Sequence, residues 1–296
     1  MPAEQVLIVN GAQHGLSVVL MALLQPGDVI AVDALTYPGF KALALALHLE
    51  LLPIPSTESG PDLDALARLC RRRSVRAVYS MPTLHNPLGW VMSLEQRQHL
   101  VAIARAHDLH IIEDAAYAFL VDNPPTSLAD LAPERTVYVS GFSKSVAAGL
   151  RVGFIVAPAE KVSVLERIIR VTAWNAPGVM TAITSAWLDD GTVTRLESQK
   201  RKDAQARQLI ADEQLAGLHR IRHPSSYFVW LPLSEDARAD QVVAALAREQ
   251  VSVSTAQPFA TSAHVPHAIR LALGSVGMTA LREGLAKVKW VVQAHA

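Results

Sequence analysis

Short β-branched runs alternate along the chain with longer stretches in which apolar side chains recur every three or four positions. Val6-Leu7-Ile8-Val9 is patterned as a strand, and Gly11-Ala12-Gln13-His14-Gly15 as a turn. Leu16, Val19, Leu20 and Leu23 then share one helical face. Pro26-Gly27-Asp28 stops that helix before a second strand, Val29-Ile30-Ala31-Val32. The strand signal returns at Ala77-Val78-Tyr79-Ser80, Ile111-Ile112-Glu113-Asp114 and Thr136-Val137-Tyr138-Val139. Helices are expected over 62–72 and 93–107, the latter opened by a capping box in which Ser93 pairs with Gln96. Past Pro158 the pattern predicts helices over 160–171 and 179–215, followed by strands at 227–231, 251–255 and 269–273 and helices at 239–250 and 279–293. Such alternation implies an α/β fold: a mostly parallel sheet sandwiched by helices, with a smaller C-terminal α/β domain. The expected division is 1–200 and 201–296.

Composition narrows the classes. Half of the 296 residues are hydrophobic and 18% are charged, below the roughly 25% of an average soluble domain, so some apolar surface is expected to meet a partner. Twenty-seven basic residues balance 27 acidic ones, which argues against a phosphate-coating nucleic-acid domain. Cys70 is the single cysteine and excludes an intramolecular disulfide. The most apolar stretch, 42–52, contains His48 and Glu50 and is too short to span a bilayer. Met1-Pro2-Ala3-Glu4 does not open a signal peptide, so a cytoplasmic protein is expected. His264 and His267 lie in a polar loop without an accompanying carboxylate, and no metal site is expected.

In open α/β sheets, ligands gather beyond the carboxyl ends of the strands. There the sequence places Gly11-Ala12-Gln13 at a helix start suited to an anion, Asn86-Pro87, Asp114 with Tyr117 three residues on, and Ser143-Lys144 followed by Arg151. Each has a bland reading. The glycine turn is common to α/β proteins, Asp114 could cap a helix, and Arg270 between Ile269 and Leu271 could form a structural ion pair. Together they suit one chemistry, in which a lysine condenses with an aldehyde cofactor and an aspartate keeps a pyridine nitrogen protonated.

Ser143-Lys144 with Gly149-Leu150-Arg151-Val152-Gly153, together with Asp114-x-x-Tyr117 and Asn86-Pro87-x-Gly89, resembles the pyridoxal-phosphate (PLP) aminotransferases of fold type I. The chain is particularly similar to the aminotransferase-like domain of MocR-type GntR-family regulators. The resemblance implies a Schiff base on Lys144, which would also shuttle a proton at the substrate, and a pyridinium partner in Asp114. It implies that Asn86 and Tyr117 bond the phenolic oxygen and that Tyr37 stacks on the ring. Gly11, Ala12, Gln13, Ser143 and Arg151 would cradle the phosphate. Arg270, with Asn86, would hold the substrate carboxylate. Lys144, Asp114 and Tyr117 are thus the expected catalytic residues.

The sequence departs from the family in three places. Gly141 stands where a phosphate-binding Ser or Thr is common, leaving Ser140 as a possible substitute, and Leu88 replaces a threonine. The family's arm before the first strand has no counterpart, so the chain is expected to be truncated or to lack those contacts. The implied function is an aminotransferase moving an amino group between an amino acid and a 2-oxo acid, in a homodimer. The alternative is a PLP- or amine-sensing effector domain of a regulator with little turnover, meeting nucleic acid only through a domain outside this chain.

Overall fold

A computed structural model describes residues 2–234 and 237–295. The strands of a seven-stranded sheet are β1 (Val6–Val9), β2 (Val29–Asp33), β3 (Glu50–Ile54), β4 (Val75–Ser80), β5 (His110–Asp114), β6 (Thr136–Gly141) and β7 (Gly153–Val156). Their spatial order is β1-β7-β6-β5-β4-β2-β3. Pairing from β3 through β6 is parallel, and β7 runs antiparallel between β6 and β1. The helices that follow these strands are α1 (Ala12–Leu23), α2 (Pro38–Ala46), α3 (Leu63–Arg72), α4 (Leu94–Ala106), α5 (Leu128–Leu131), α6 (Phe142–Ser145) and α7 (Ala159–Ala173).

The period-two alternation of the strands feeds two cores. Ile30 and Val32 of β2, with Tyr79 of β4 and Ile112 of β5, pack against α1, Phe40 of α2, and Leu165 and Ile169 of α7. Ala31, Val78 and Ile111 point the other way, onto Leu66 of α3 and Leu100, Val101 and Ala104 of α4. At the end of β5 this alternation separates two adjacent acids. Asp114 follows Ile112 toward the first face, while Glu113 turns to the second and accepts the Ala129 N–H at 2.9 Å.

Beyond β7 lie α8 (Gly178–Asp189), α9 (Thr192–Gln214), β8 (Ile221–Arg222), β9 (Phe228–Pro232), α10 (Ala239–Arg248), β10 (Ser254–Thr255), β11 (Ala268–Ala272) and α11 (Met278–Ala294). The four strands form an antiparallel sheet ordered β10-β11-β9-β8. Val229, Leu231, Ile269 and Leu271 pack on Ala211 of α9, Leu246 of α10 and Leu285 of α11.

Several boundaries differ from the sequence pattern. The turn expected over 11–15 is mostly helix, because Gly11 at φ +82° caps α1 and lets it start at Ala12. The single helix expected over 179–215 is two, broken where Gly191 takes φ +76°. Of the strand expected over 251–255, only Ser254 and Thr255 pair. Pro53 interrupts the strand signature of β3, and the sheet accommodates it by making β3 an edge strand. The capping box at Ser93 and Gln96 is present. Among the described residues no helix is long and apolar enough to cross a membrane, and none of their His, Cys, Asp and Glu side chains cluster as a metal site.

Candidate active site

The ends of β1, β6 and β7 converge because three glycines leave room for backbone against backbone. A Cβ on Gly153 would stand 2.6 Å from the Gly11 carbonyl carbon, and one on Gly141 would stand 3.0 Å from both Gly153 Cα and the Val152 oxygen. A side chain at 141 would be tight against main chain, which must give by a few tenths of an ångström to admit one, so Gly141 suits this packing. Ser140 does not step in, since its hydroxyl donates to the Ala115 carbonyl at 3.3 Å.

This convergence sets the amino end of α1 beside Arg151. The Arg151 guanidinium donates to the Asn10 carbonyl at 3.2 Å and to Ser143 Oγ at 3.4 Å, and a Gly11 Cβ would lie 3.1 Å from it. Arg151 itself adopts φ +51°, a left-handed conformation seldom taken by a residue with a side chain. Free amides of a helix start, a hydroxyl and a guanidinium thus face one spot, an arrangement suited to a phosphate.

Asp114 is buried at the end of β5. Its Oδ1 accepts the Ala116 N–H at 3.0 Å, and its Oδ2 accepts the Tyr79 hydroxyl at 2.8 Å. Burial pushes its carboxyl above the usual range, while these two donors pull it back toward the charged form. Tyr79 is fixed in turn by stacking on Phe40, with ring centroids 3.7 Å apart. Tyr37 opens α2 half-buried, and its phenol is raised by burial and then by the charge of Asp114.

Asp114, Tyr37, Tyr117, Ser143, Lys144 and Arg151 line one cavity of about 190 Å³, together with Ala12 and Gln13. The Lys144 side chain is exposed, and its Nζ lies 5.8 Å from the centre of the Tyr117 ring. Gly11 stands behind Arg151 rather than on this wall. Asn86 is also set back, buried in the loop after β4, with an Oδ1 that has no partner. Gln13 donates to the Gly39 carbonyl at 3.0 Å and likewise leaves its Oε1 unpartnered.

A second, wider cavity of about 640 Å³ shares Tyr117, Ser143 and Lys144 with the first and contains Arg270. The Arg270 guanidinium lies 4.8 Å from the Phe228 ring centre and 5.5 Å from that of Phe259, and its buried Nε has no partner. Burial lowers its affinity for the proton. A cation held beside two aromatic faces, with no carboxylate paired to it among the described residues, is set for an anionic ligand, which weighs against the structural ion pair.

A PLP molecule fits this donor set. A phosphate would meet the α1 amides, Ser143 and Arg151; a protonated ring nitrogen would meet buried Asp114; and the Lys144 amine stands on the same cavity wall. The sequence pattern missed Tyr79 and the aromatic pair around Arg270. Tyr79 did carry a signal, since a phenol inside an apolar strand needs a partner for its hydroxyl.

Residues 1–288 match the family model for aminotransferase class I and II. The chain belongs to the class I and II aminotransferase family. It is 27% identical over 271 residues to the helix-turn-helix-type transcriptional regulator YdeF of Bacillus subtilis, covering 91% of this chain and 59% of that protein. It is 28% identical over 295 residues to 2-aminoadipate transaminase of Thermus thermophilus, covering 96% of this chain and 74% of the enzyme. Its backbone matches that of LysN, an α-aminoadipate aminotransferase from Thermus thermophilus solved with N-(5'-phosphopyridoxyl)-L-leucine, with a TM-score of 0.91 at 26% identity. That match covers 98% of this chain and 77% of LysN. The chain thus spans between about three-fifths and three-quarters of the length of these relatives.

Proposed function

We propose that this protein is a PLP-dependent aminotransferase that moves an amino group between an amino acid and a 2-oxo acid. The observation that carries this reading is the single cavity in which buried Asp114, Lys144 and the Arg151–Ser143 anion cradle meet. When bound, PLP supplies an aldehyde that condenses with amines and a ring that accepts the electrons released at the substrate Cα.

The chain's residues divide the remaining work. Asp114 holds the proton on the ring nitrogen, and the Tyr79 hydroxyl keeps that carboxylate charged and oriented. Arg151, Ser143 and the Ala12 and Gln13 amides bind the phosphate, with Gly11 admitting the close approach. Tyr37 would cover one ring face, and Asn86 and Tyr117 would bond the phenolic oxygen. Lys144 would supply the amine that condenses with the aldehyde, the aldehyde oxygen leaving as water, and would stand on the cavity wall as the base for the proton leaving the substrate Cα. Arg270 would take the substrate carboxylate beside Phe228 and Phe259, and Asn86, which lines neither cavity, is assigned to the same carboxylate by the family resemblance alone.

The division of the chain into 1–200 and 201–296 falls inside α9, whose Val193 packs near Val146 and whose Ala211 packs on the small sheet. A homodimer is supported by exposed apolar side chains such as Leu45, Val171 and Trp174. A second reading, an amine-sensing effector domain, is favoured by the regulator YdeF among the relatives.

A half-reaction separates the two. PLP-loaded protein mixed with amino donors should convert bound cofactor to its amine form and release a 2-oxo acid. Binding of PLP with no conversion by any donor would overturn the transferase reading and leave the sensor.

A further inference from the structure

The wide cavity holds one more cation than the reaction needs. Leu196, Gln199, Lys200 and Asp203 are spaced as one face of α9, and all four line it. Lys144, Lys200 and Arg270 supply three positive side chains to its wall. Asp203 is the carboxylate there, and it is already engaged: Arg207 Nε donates to its Oδ2 at 2.8 Å, and the Tyr227 hydroxyl lies 2.9 Å from the same oxygen. Lys144 is committed to the cofactor and Arg270 to one carboxylate. Lys200 remains, half-buried, with no hydrogen-bond or ion-pair partner for its ammonium among the described residues.

We propose that Lys200 reads a second anionic group on the substrate, so that the site takes amino donors whose side chain ends in a carboxylate. This rests on the transferase reading of the same site. A half-buried ammonium that shares its neighbouring carboxylate, Asp203, with Arg207 and Tyr227 and makes no direct ion pair is stabilised further by an anion delivered with the ligand. Burial lowers the proton affinity of Lys200 and the charge of Lys144 lowers it further, while Asp203 opposes them. A bound carboxylate would act in the same sense as Asp203. A lysine suits the task because a point charge on a flexible stem can follow a side-chain carboxylate, leaving the forked Arg270 to fix the α-carboxylate.

The test is calorimetric titration of the chain, with and without PLP, using glutarate and pentanoate, two five-carbon acids that differ by one carboxylate. Glutarate should bind at least about tenfold more tightly than pentanoate, the size of a charge-assisted hydrogen bond. Lys200→Met should bring that ratio close to one, and Lys200→Arg should restore most of it. Equal affinities in the parent chain, or an unchanged ratio in a folded Lys200→Met, would overturn the proposal. Failure of the transferase reading looks different: glutarate would still be preferred, yet no amino donor would convert bound PLP.

Discussion

Replacing Tyr79 by Phe deletes one hydroxyl from a fully buried ring and leaves the stack on Phe40 in place. The lost bond is the 2.8 Å donation to Asp114 Oδ2, so a buried carboxylate oxygen is left without its donor. A hydrogen bond to a charged group contributes about 1.5–3 kcal/mol, and that is the expected loss of unfolding free energy for the PLP-free chain near neutral pH. At about 2–4 °C per kcal/mol, the melting temperature should fall by about 3–12 °C. The same change has a signed consequence for the cofactor. Burial already raises the Asp114 carboxyl and the Tyr79 bond lowers it, so Tyr79→Phe raises it further. PLP binding through its ring nitrogen needs Asp114 charged, and affinity must decline as acidification protonates it. In the variant that decline should begin at a higher pH. Thermal melts and PLP titrations from pH 5 to 8 read both effects. Equal melting temperatures and superimposable pH profiles would refute the claim that Tyr79 holds Asp114 in its working state.

Two further perturbations test the surrounding frame. Gly153→Ala would push a methyl to 2.6 Å from the Gly11 carbonyl carbon and 2.8 Å from the Ser140 oxygen, whereas Gly149→Ala enters open space. The first should cost about 1–3 kcal/mol and weaken PLP binding at the cradle, while the second should stay within about 0.5 kcal/mol in denaturant titrations. Burial raises the Glu113 carboxyl to about 7, so the folded chain keeps a proton that the unfolded chain releases near 4.5. Stability should therefore fall as pH rises between those values, by about 3 kcal/mol from this group, and a Glu113→Gln chain should lack that slope.

Strand alternation in Ile111-Ile112-Glu113-Asp114 puts Asp114 and Glu113 on opposite faces, and the structure has Asp114 on the face that lines the smaller cavity while Glu113 accepts the Ala129 N–H. Lys144 and Arg151 were equally legible, because Lys144 follows the end of β6, Arg151 stands just before β7, and their spacing is local. The Tyr79–Asp114 bond was not, since it joins β4 to β5 across 35 positions. The aromatic clamp on Arg270 likewise depends on β9 pairing with β11 and on Phe259 arriving from a loop. Helix α9 shows the converse limit. Its pattern reads as continuous with α8, and the break at Gly191 depends on a single backbone conformation. The departure at Gly141 became intelligible only with Gly153 and Gly11 packed against it.

The most direct test of the account is borohydride reduction of the PLP-loaded chain, followed by peptide mass analysis. The phosphopyridoxyl group should be found on the peptide carrying Lys144 and should disappear from a folded Lys144→Ala chain. Labelling at another lysine, or none at saturating PLP, would contradict the assignment of this cavity.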